Sequence, residues 1–122
     1  MFIMIPHDAQ IAVSQMYKAI FMLSRGEGTS YEEFVEYWEE EHAPITIDGL
    51  SGLRKYVMSL PDDPDAAPYD GVAELYFDDA AACKEALESE VMEEAVADVP
   101  NFADPDDVFQ MTAGEHTLAD QT

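Results

Sequence analysis

Basic side chains are scarce in this chain of 122 residues. Five lysines and arginines stand against 27 aspartates and glutamates, which gives a formal net charge of -22. Binding to DNA, RNA or an anionic membrane requires clustered basic side chains that contact phosphate groups. We therefore expect neither nucleic acid nor a membrane surface among the partners of this protein.

The chain also has little with which to build a disulfide or a metal centre. Cys83 is the one cysteine, so no internal disulfide can form, and no Cys or His pair has the spacing of a zinc finger. Glycine loops for phosphate, nucleophile elbows and H-E-x-x-H motifs are missing as well. We predict that no metal or cofactor is bound, and that Cys83 is a small buried core residue.

Long apolar runs are missing too. No run is long enough to cross a bilayer, and the opening "MFIMIPHDAQ" lacks the basic region and the cleavage site of a signal peptide. We therefore expect a cytoplasmic protein.

Acidic residues are what the chain has in abundance, and they are spread over its whole length. An apolar share of 48% is too high for a disordered acidic tail, so the chain should fold. A scattered charge of this size repels itself in dilute buffer and is screened at molar salt, where the Debye length falls to about 3 Å. We predict a protein from a salt-accumulating, halophilic cell.

Hydrophobic periodicity predicts one domain over residues 16–118, after an N-terminal extension (1–15) and before a C-terminal tail (119–122). The predicted elements are a strand at 17–23, a helix from Ser30 to His42, strands at 53–60 and 71–77, a helix from Asp78 or Asp79 to Pro100 with a candidate interruption near Ser89, and a strand at 107–112. This β-α-β-β-α-β order is the ferredoxin-like α+β pattern, an antiparallel four-stranded sheet with both helices on one face.

The first helix has a clear start and a clear apolar stripe. Ser30 and Glu33 form a capping box, S-x-x-E, which marks the N-terminus. Phe34, Trp38 and His42 follow at four-residue spacing and therefore line one side of the helix. The remaining positions are mostly glutamates, which we expect to face solvent.

Pro44 marks the predicted end of the first helix. A proline disfavours helical geometry at the residue before it, here Ala43. We therefore expect His42 in the last turn, beside carbonyl groups without helical partners and at the negative end of the helix dipole.

The strand at 71–77 carries two different faces. Alternation places Ala73, Leu75 and Phe77 on one face, and Val72, Glu74 and Tyr76 on the other. If both helices cover the first face, the second is too apolar to be left to water. We predict that a homodimer forms by packing sheet against sheet.

Four stretches together resemble the sequence motifs of a known family. They are "YEEFVEYWEEEHAP", "GLRKYV", "YDGVAELYFDD", and Phe102 with Asp104 in "NFADP". From Met16 to about Leu118 the sequence resembles an EthD-type domain of the dimeric α+β barrel superfamily. The resemblance implies two such units that form a barrel, with a pocket between sheet and helices in each subunit. Relatives of this type include a lactone methylisomerase, polyketide-type dehydratases and a protein encoded beside an ether-degrading cytochrome P450. Because these activities differ, the resemblance implies a fold more firmly than an activity.

His42 is the candidate catalytic residue, because histidine is able to take and give a proton near neutral pH. In the resembled family the histidine of H-A-P is a candidate acid or base, and His42 is the residue that matches it. The alternative is a structural histidine that caps the last helical turn through the dipole and the free carbonyl groups.

The candidate ligand-binding residues are Phe34, Trp38, Tyr56, Glu74 and Tyr76. Trp38 could form one wall of a pocket, although its place on the helix stripe also suits a core residue. Tyr56 and Tyr76 could orient an oxygenated substrate or pack across the sheet. Glu74 is either a half-buried carboxylate at the dimer interface or a second acid/base group, and the strand alternation directs it away from a pocket lined by His42.

These observations predict a small-molecule protein that binds an apolar cyclic or aromatic carbonyl-type compound. As an enzyme it would be a cofactor-free isomerase or dehydratase that uses His42 as acid and base. Two alternatives stay open. One is a non-catalytic ligand-binding or accessory protein, and the other is a cofactor-independent or haem-dependent monooxygenase.

Overall fold

A four-stranded antiparallel sheet forms one layer of the protein. The computed structural model describes residues 16–122, so the predicted extension at 1–15 lies outside the described part. The strands are β1 (Tyr17–Leu23), β2 (Lys55–Ser59), β3 (Gly71–Phe77) and β4 (Phe109–Gly114). They lie in the order β2-β3-β1-β4, and every neighbouring pair is antiparallel. Strands β1 and β3 have the predicted bounds, whereas β2 is shorter than 53–60 and β4 is displaced from 107–112 toward the C-terminus.

Helices form the second layer. They are α1 (Tyr31–Tyr37), α2 (Ala43–Gly49), α3 (Ala80–Leu87) and α4 (Glu90–Asp98). A π-helical turn (Trp38–His42) joins α1 to α2, and a 3₁₀ turn (Val99–Asn101) follows α4. The order confirms the predicted ferredoxin-like α+β fold. No helix within residues 16–122 is long and apolar enough to span a membrane.

Side chains cap the helices where the sequence predicts. The Ser30 hydroxyl accepts a hydrogen bond from the Glu33 amide, and the Glu33 carboxylate accepts one from the Ser30 amide, each at 3.1 Å. Asp79 caps α3 by accepting from the Ala82 amide at 2.8 Å. Ser89 caps α4, which confirms the predicted interruption of the second helix at this position.

The predicted end of the first helix at Pro44 is wrong. Ala43 has helical angles, φ −58° and ψ −38°, and the helix runs on to Gly49. The chain avoids the conflict by a change of hydrogen-bond register, because the Ala43 amide donates to the carbonyl of Trp38, five residues back. Pro44 then lies in the first turn of α2, where a missing N–H does little harm. His42 therefore lies inside a continuous helix, not at its exposed end.

Within residues 16–122 the sheet has one face covered by helices and one that no helix covers, the open face, in the predicted alternation. Ala73, Leu75 and Phe77 are at most 3% exposed, and the residues between them on β3 are partly exposed. Strand register places Tyr56 of β2 beside Leu75 on the covered face. The buried core lies between this covered face and the helices, and it includes Cys83, which is 1% exposed as predicted and whose pKa is raised by burial.

Candidate functional site

An apolar cavity of about 290 Å³ lies between the covered face of the sheet and the helices α2 and α4. This volume is close to the lower limit of ligand pockets, about 300 Å³. Polar side chains reach the wall at His42, Thr46, Tyr56 and Gln110. The other lining residues are Phe21, Leu23, Ala73, Leu75, Met92, Ala95, Val96, Val99, Pro105 and Val108. No lysine, arginine, aspartate or glutamate is among these lining residues.

His42 forms a close pair with Asp98. The two residues are far apart in the sequence, but the π-helical turn and the end of α4 bring the His42 Nδ1 atom to 2.8 Å from an Asp98 carboxylate oxygen. An ionised carboxylate accepts a hydrogen bond, so it favours the imidazole form that carries its proton on Nδ1. The neutral imidazole then has a free lone pair on Nε2. His42 is 8% exposed and lines the cavity, so this pairing gives the cavity wall a base of defined orientation.

Asp98 is itself held by three donors. The Tyr37 hydroxyl donates to the carboxylate at 2.7 Å, and the Asn101 side-chain amide donates to the same oxygen at 2.9 Å. Burial on its own would raise the pKa of Asp98, but the hydrogen bonds from Tyr37, Asn101 and His42 outweigh it and hold the pKa below its ordinary value. The hydrogen bond to Asp98 in turn raises the pKa of Tyr37. Asp98 is therefore a stable anion behind His42.

Phe102 packs on both His42 and Tyr37. Its ring centroid lies 4.6 Å from that of His42, and it stacks on Tyr37 with centroids 5.2 Å apart. Phe102 is 1% exposed and lies just after the 3₁₀ turn. A buried ring in this position limits rotation of the imidazole, so packing and hydrogen bonding fix His42 together.

Trp38 does not line the cavity itself, but it forms a hydrogen bond with Tyr56, which does. The indole Nε1 atom donates to the Tyr56 hydroxyl at 2.8 Å, and Trp38 itself is 0% exposed. The indole also lies against Gly71, where an added Cβ atom would come within 2.5 Å of it. Only glycine fits at this place in the "YDG" stretch, because any larger side chain would displace the tryptophan.

The predicted site residues divide into three groups. His42 and Tyr56 line the cavity. Trp38 and Phe34 lie behind the wall in the core, edge to face with ring centroids 5.4 Å apart. Glu74 and Tyr76 lie on the open face of the sheet, where Glu74 pairs with Lys18 at 2.7 Å. The structure therefore brings two of the six candidates to the cavity and separates Glu74 and Tyr76 from it.

Asp98 and Tyr37 are the site residues that sequence reasoning missed. Asp98 stands 56 positions from His42, and nothing in the sequence distinguishes it from the other acidic residues nearby. Tyr37 lies in the glutamate-rich helix, off the stripe formed by Phe34, Trp38 and His42. Neither residue carries a local signal, because each obtains its role from partners on another element.

The fold and the cavity define the class of this protein as a ferredoxin-like α+β domain with an apolar cavity between its sheet and its helices. A family model described as the EthD domain matches residues 26–106. The chain belongs to the EthD family, since this match covers most of its length. A search of curated proteins gives no significant match.

Solved structures agree with this fold. An EthD family protein from Bacillus halodurans is 23% identical, covers 83% of this chain and 99% of its own, and has a TM-score of 0.70. A dimeric ferredoxin-like protein of unknown function from Bacteroides fragilis is 14% identical over 84% of this chain and 96% of its own, with a TM-score of 0.59. A candidate antibiotic biosynthesis monooxygenase from Bacteroides thetaiotaomicron is 13% identical over 91% and 96%, with a TM-score of 0.55.

Proposed function

We propose that the protein binds an apolar cyclic or aromatic carbonyl compound in this cavity and catalyses a cofactor-free proton transfer on it, as in an isomerisation or a dehydration. The observation that carries the proposal is the hydrogen bond of 2.8 Å between His42 and Asp98 at the wall of a mostly apolar cavity. An apolar wall selects an apolar ligand, and the one base on it requires a ligand with a removable proton.

In the proposed reaction, His42 removes a proton from a carbon next to the carbonyl group. The C–H bond breaks, its proton goes to Nε2, and its electron pair moves to the carbonyl oxygen as an enolate. Asp98 stabilises the imidazolium that results, because it is ionised and hydrogen-bonded to Nδ1. For an isomerisation the ligand carries a C=C bond between its β and γ carbons, and the resulting dienolate takes the proton from His42 at the γ carbon as the double bond moves into conjugation. For a dehydration the ligand carries a hydroxyl group on its β carbon, and the enolate electron pair forms a C=C bond as the C–O bond breaks and the hydroxyl group leaves as water with the proton from His42.

A homodimer through the open face of the sheet is part of this proposal. Strand register places a row of apolar side chains on that face, among them Val72, Ile20 and Met111. Phe109 and Met111 are 42% and 44% exposed in the single chain. Contact with a second copy would remove this apolar surface from water, and the similar protein from Bacteroides fragilis is described as dimeric.

We also propose that the protein works in the cytoplasm of a cell that accumulates salt. The exposed side of the first helix supports this, since Glu32, Glu36, Glu39 and Glu40 all face solvent. Molar salt would screen the repulsion among such groups and among the other charges that make up the net -22.

The test of the proposed reaction is deuterium exchange into β-tetralone, a neutral bicyclic ketone with acidic hydrogens next to its carbonyl group. Nuclear magnetic resonance in deuterium oxide with molar KCl measures the exchange rate for wild type, His42→Ala and Glu94→Gln. We expect wild type to accelerate the exchange and His42→Ala to lose about 100-fold or more of it, the usual contribution of an acid/base group. Glu94 is exposed on the same helix as Asp98, so Glu94→Gln should retain the wild-type rate.

The outcomes separate the activities that the cavity permits. Exchange that is as fast in His42→Ala as in wild type would contradict a role for His42 in proton transfer. Binding of β-tetralone, seen as a thermal shift, with no exchange in any variant would instead make the chain a non-catalytic ligand-binding protein.

A further inference from the structure

Tyr56 and Trp38 form a hydrogen-bonded pair that connects the cavity wall to the core. An indole N–H is a donor and never an acceptor, so the Tyr56 oxygen must accept the hydrogen bond of 2.8 Å from Trp38. The hydroxyl proton of Tyr56 must therefore point elsewhere. Within residues 16–122 that proton has no acceptor in hydrogen-bonding distance. Tyr56 lines the cavity, so its proton is free to meet a ligand there.

Trp38 has no room to move away from this hydrogen bond. It is completely buried, lies edge to face with Phe34, and meets Gly71 so closely that a Cβ atom there would be 2.5 Å away. Tyr56 is on the edge strand β2, which pairs with the central strand β3. The direction of the hydroxyl is thus set by the core before any ligand arrives.

We propose that the Tyr56 hydroxyl donates a hydrogen bond to the carbonyl oxygen of the ligand, and that Trp38 is the positioning residue that orients this hydroxyl. The inference rests on the proposed function and deepens it, because it assigns the group that receives the developing charge. When His42 removes the proton, the electron pair arrives on the carbonyl oxygen, and a donor already aimed at that oxygen stabilises the enolate.

The protonation state of Tyr56 suits a donor. Burial raises the pKa of Tyr56 and outweighs the opposite effect of the Trp38 hydrogen bond. The phenol therefore keeps its proton at neutral pH, as a hydrogen-bond donor must.

The cavity also limits the charge of the ligand. None of its lining residues is a lysine or an arginine. Lys18 and Lys55, which flank the ring of Tyr76, are on the open face of the sheet. A carboxylate or a phosphate would enter the cavity without a cation to receive it, at a large desolvation penalty. The ligand class is thus a neutral ketone or lactone.

A matched pair of ligands tests the role of Tyr56. β-Tetralone and tetralin share one ring system, but tetralin has no carbonyl group. We expect wild type to bind β-tetralone about three- to tenfold tighter than tetralin, the value of one net hydrogen bond, and Tyr56→Phe to bind the two about equally. Tyr69→Phe, which removes a hydroxyl group outside the cavity, should keep the wild-type ratio. Titration calorimetry measures all six dissociation constants.

An unchanged ratio in Tyr56→Phe would overturn the inference. If that variant keeps the ratio and deuterium exchange still depends on His42, the proposed function survives and the assignment of Tyr56 fails. If wild type does not accelerate deuterium exchange either, the proposed function itself fails.

The role of Trp38 has a spectroscopic test. Trp38 is the one tryptophan of the chain, so the ultraviolet resonance Raman band that reports indole N–H hydrogen bonding belongs to it alone. That band should shift toward a free N–H in Tyr56→Phe and stay unchanged in Tyr69→Phe. In Trp38→Phe the infrared band of the bound β-tetralone carbonyl should move toward its position in free ligand. A band that stays at the wild-type position in folded Trp38→Phe would refute positioning by the indole.

A charged ligand tests the inference that the cavity accepts neutral ligands. Tetralin-2-carboxylate has the same ring system as β-tetralone and carries an anionic carboxylate where β-tetralone has its ketone. We expect it to bind at least about tenfold more weakly than β-tetralone, and equal binding would contradict a neutral ligand class.

Discussion

Each face of the sheet carries a short hydrogen bond between a basic and an acidic side chain, and the two pairs differ in their surroundings. On the open face Lys18 and Glu74 are 2.7 Å apart, with side chains 19% and 24% exposed. On the helix side His42 and Asp98 are 2.8 Å apart and are 11% and 14% exposed. The distance between a basic and an acidic group therefore says little about their role.

What separates the pairs is the remainder of their surroundings. Lys18 has further anionic and aromatic neighbours in Glu115 and Tyr76, and its hydrogen bond to Glu74 raises its pKa. Lys18 thus keeps its charge over the physiological range, which suits a structural link on the surface that we propose contacts a second copy. His42 instead faces an apolar cavity and has Asp98 behind it, so its pair combines a fixed anion with a side chain able to exchange protons.

The largest effect should come from a charge placed on the open face. We expect Met111→Asp to convert the proposed dimer into a monomer, because the new carboxylate would have to be buried between two acidic chains. Ile47→Asp is the matched control, since Ile47 is equally apolar and 54% exposed but belongs to α2 on the helix side. Analytical ultracentrifugation in molar KCl measures both, and a Met111→Asp variant that stays dimeric would place the interface elsewhere.

A smaller effect is expected at the covered pair. Asp98→Asn should lower the free energy of unfolding by about 1–3 kcal/mol at neutral pH, because it weakens the hydrogen bonds to a buried anion. The folded-state pKa of Asp98 is below its ordinary value of 3.8, so its contribution is fully present above that value and is lost as the pH falls through the lower folded-state pKa.

The variant and wild-type stabilities should therefore converge below pH 3.8. Urea unfolding over this pH range tests the convergence, and Glu94→Gln provides the control for loss of one charge on α4. A difference that persists at the acid end would show that the lost stability does not come from the ionised carboxylate.

The smallest effect is expected at the exposed pair. In the monomeric Met111→Asp background, Glu74→Gln should change the free energy of unfolding by about 0–1 kcal/mol, since the Lys18–Glu74 ion pair is partly solvated in the single chain and gains little. Thermal melts at low and molar KCl should show wild type and variant stabilised alike by salt, because the screening acts on the whole charge of -22. Melting temperatures that do not depend on KCl would contradict the proposed adaptation to salt.

Local patterns predicted most of the framework. The capping box at Ser30, the break at Ser89 and the alternation along β3 depend on residues within a few positions of each other, and all three are confirmed. The end of the first helix failed at Pro44, because the preference of a residue before proline is local and modest. The Ala43 amide instead donates to the carbonyl of Trp38, five residues before Ala43. This change of hydrogen-bond register satisfied the backbone and let tertiary packing continue the helix.

The sequence by itself determined the elements, their order and the two faces of the sheet, since periodicity and capping act between near neighbours in the chain. The tertiary structure alone decided that Asp98 stands behind His42 and that Trp38 orients Tyr56. Hydrogen bonds between distant segments leave no periodic trace in a sequence, because any of its many carboxylates or hydroxyl groups could have made them. Folding selects the partners by bringing particular helix and strand ends together.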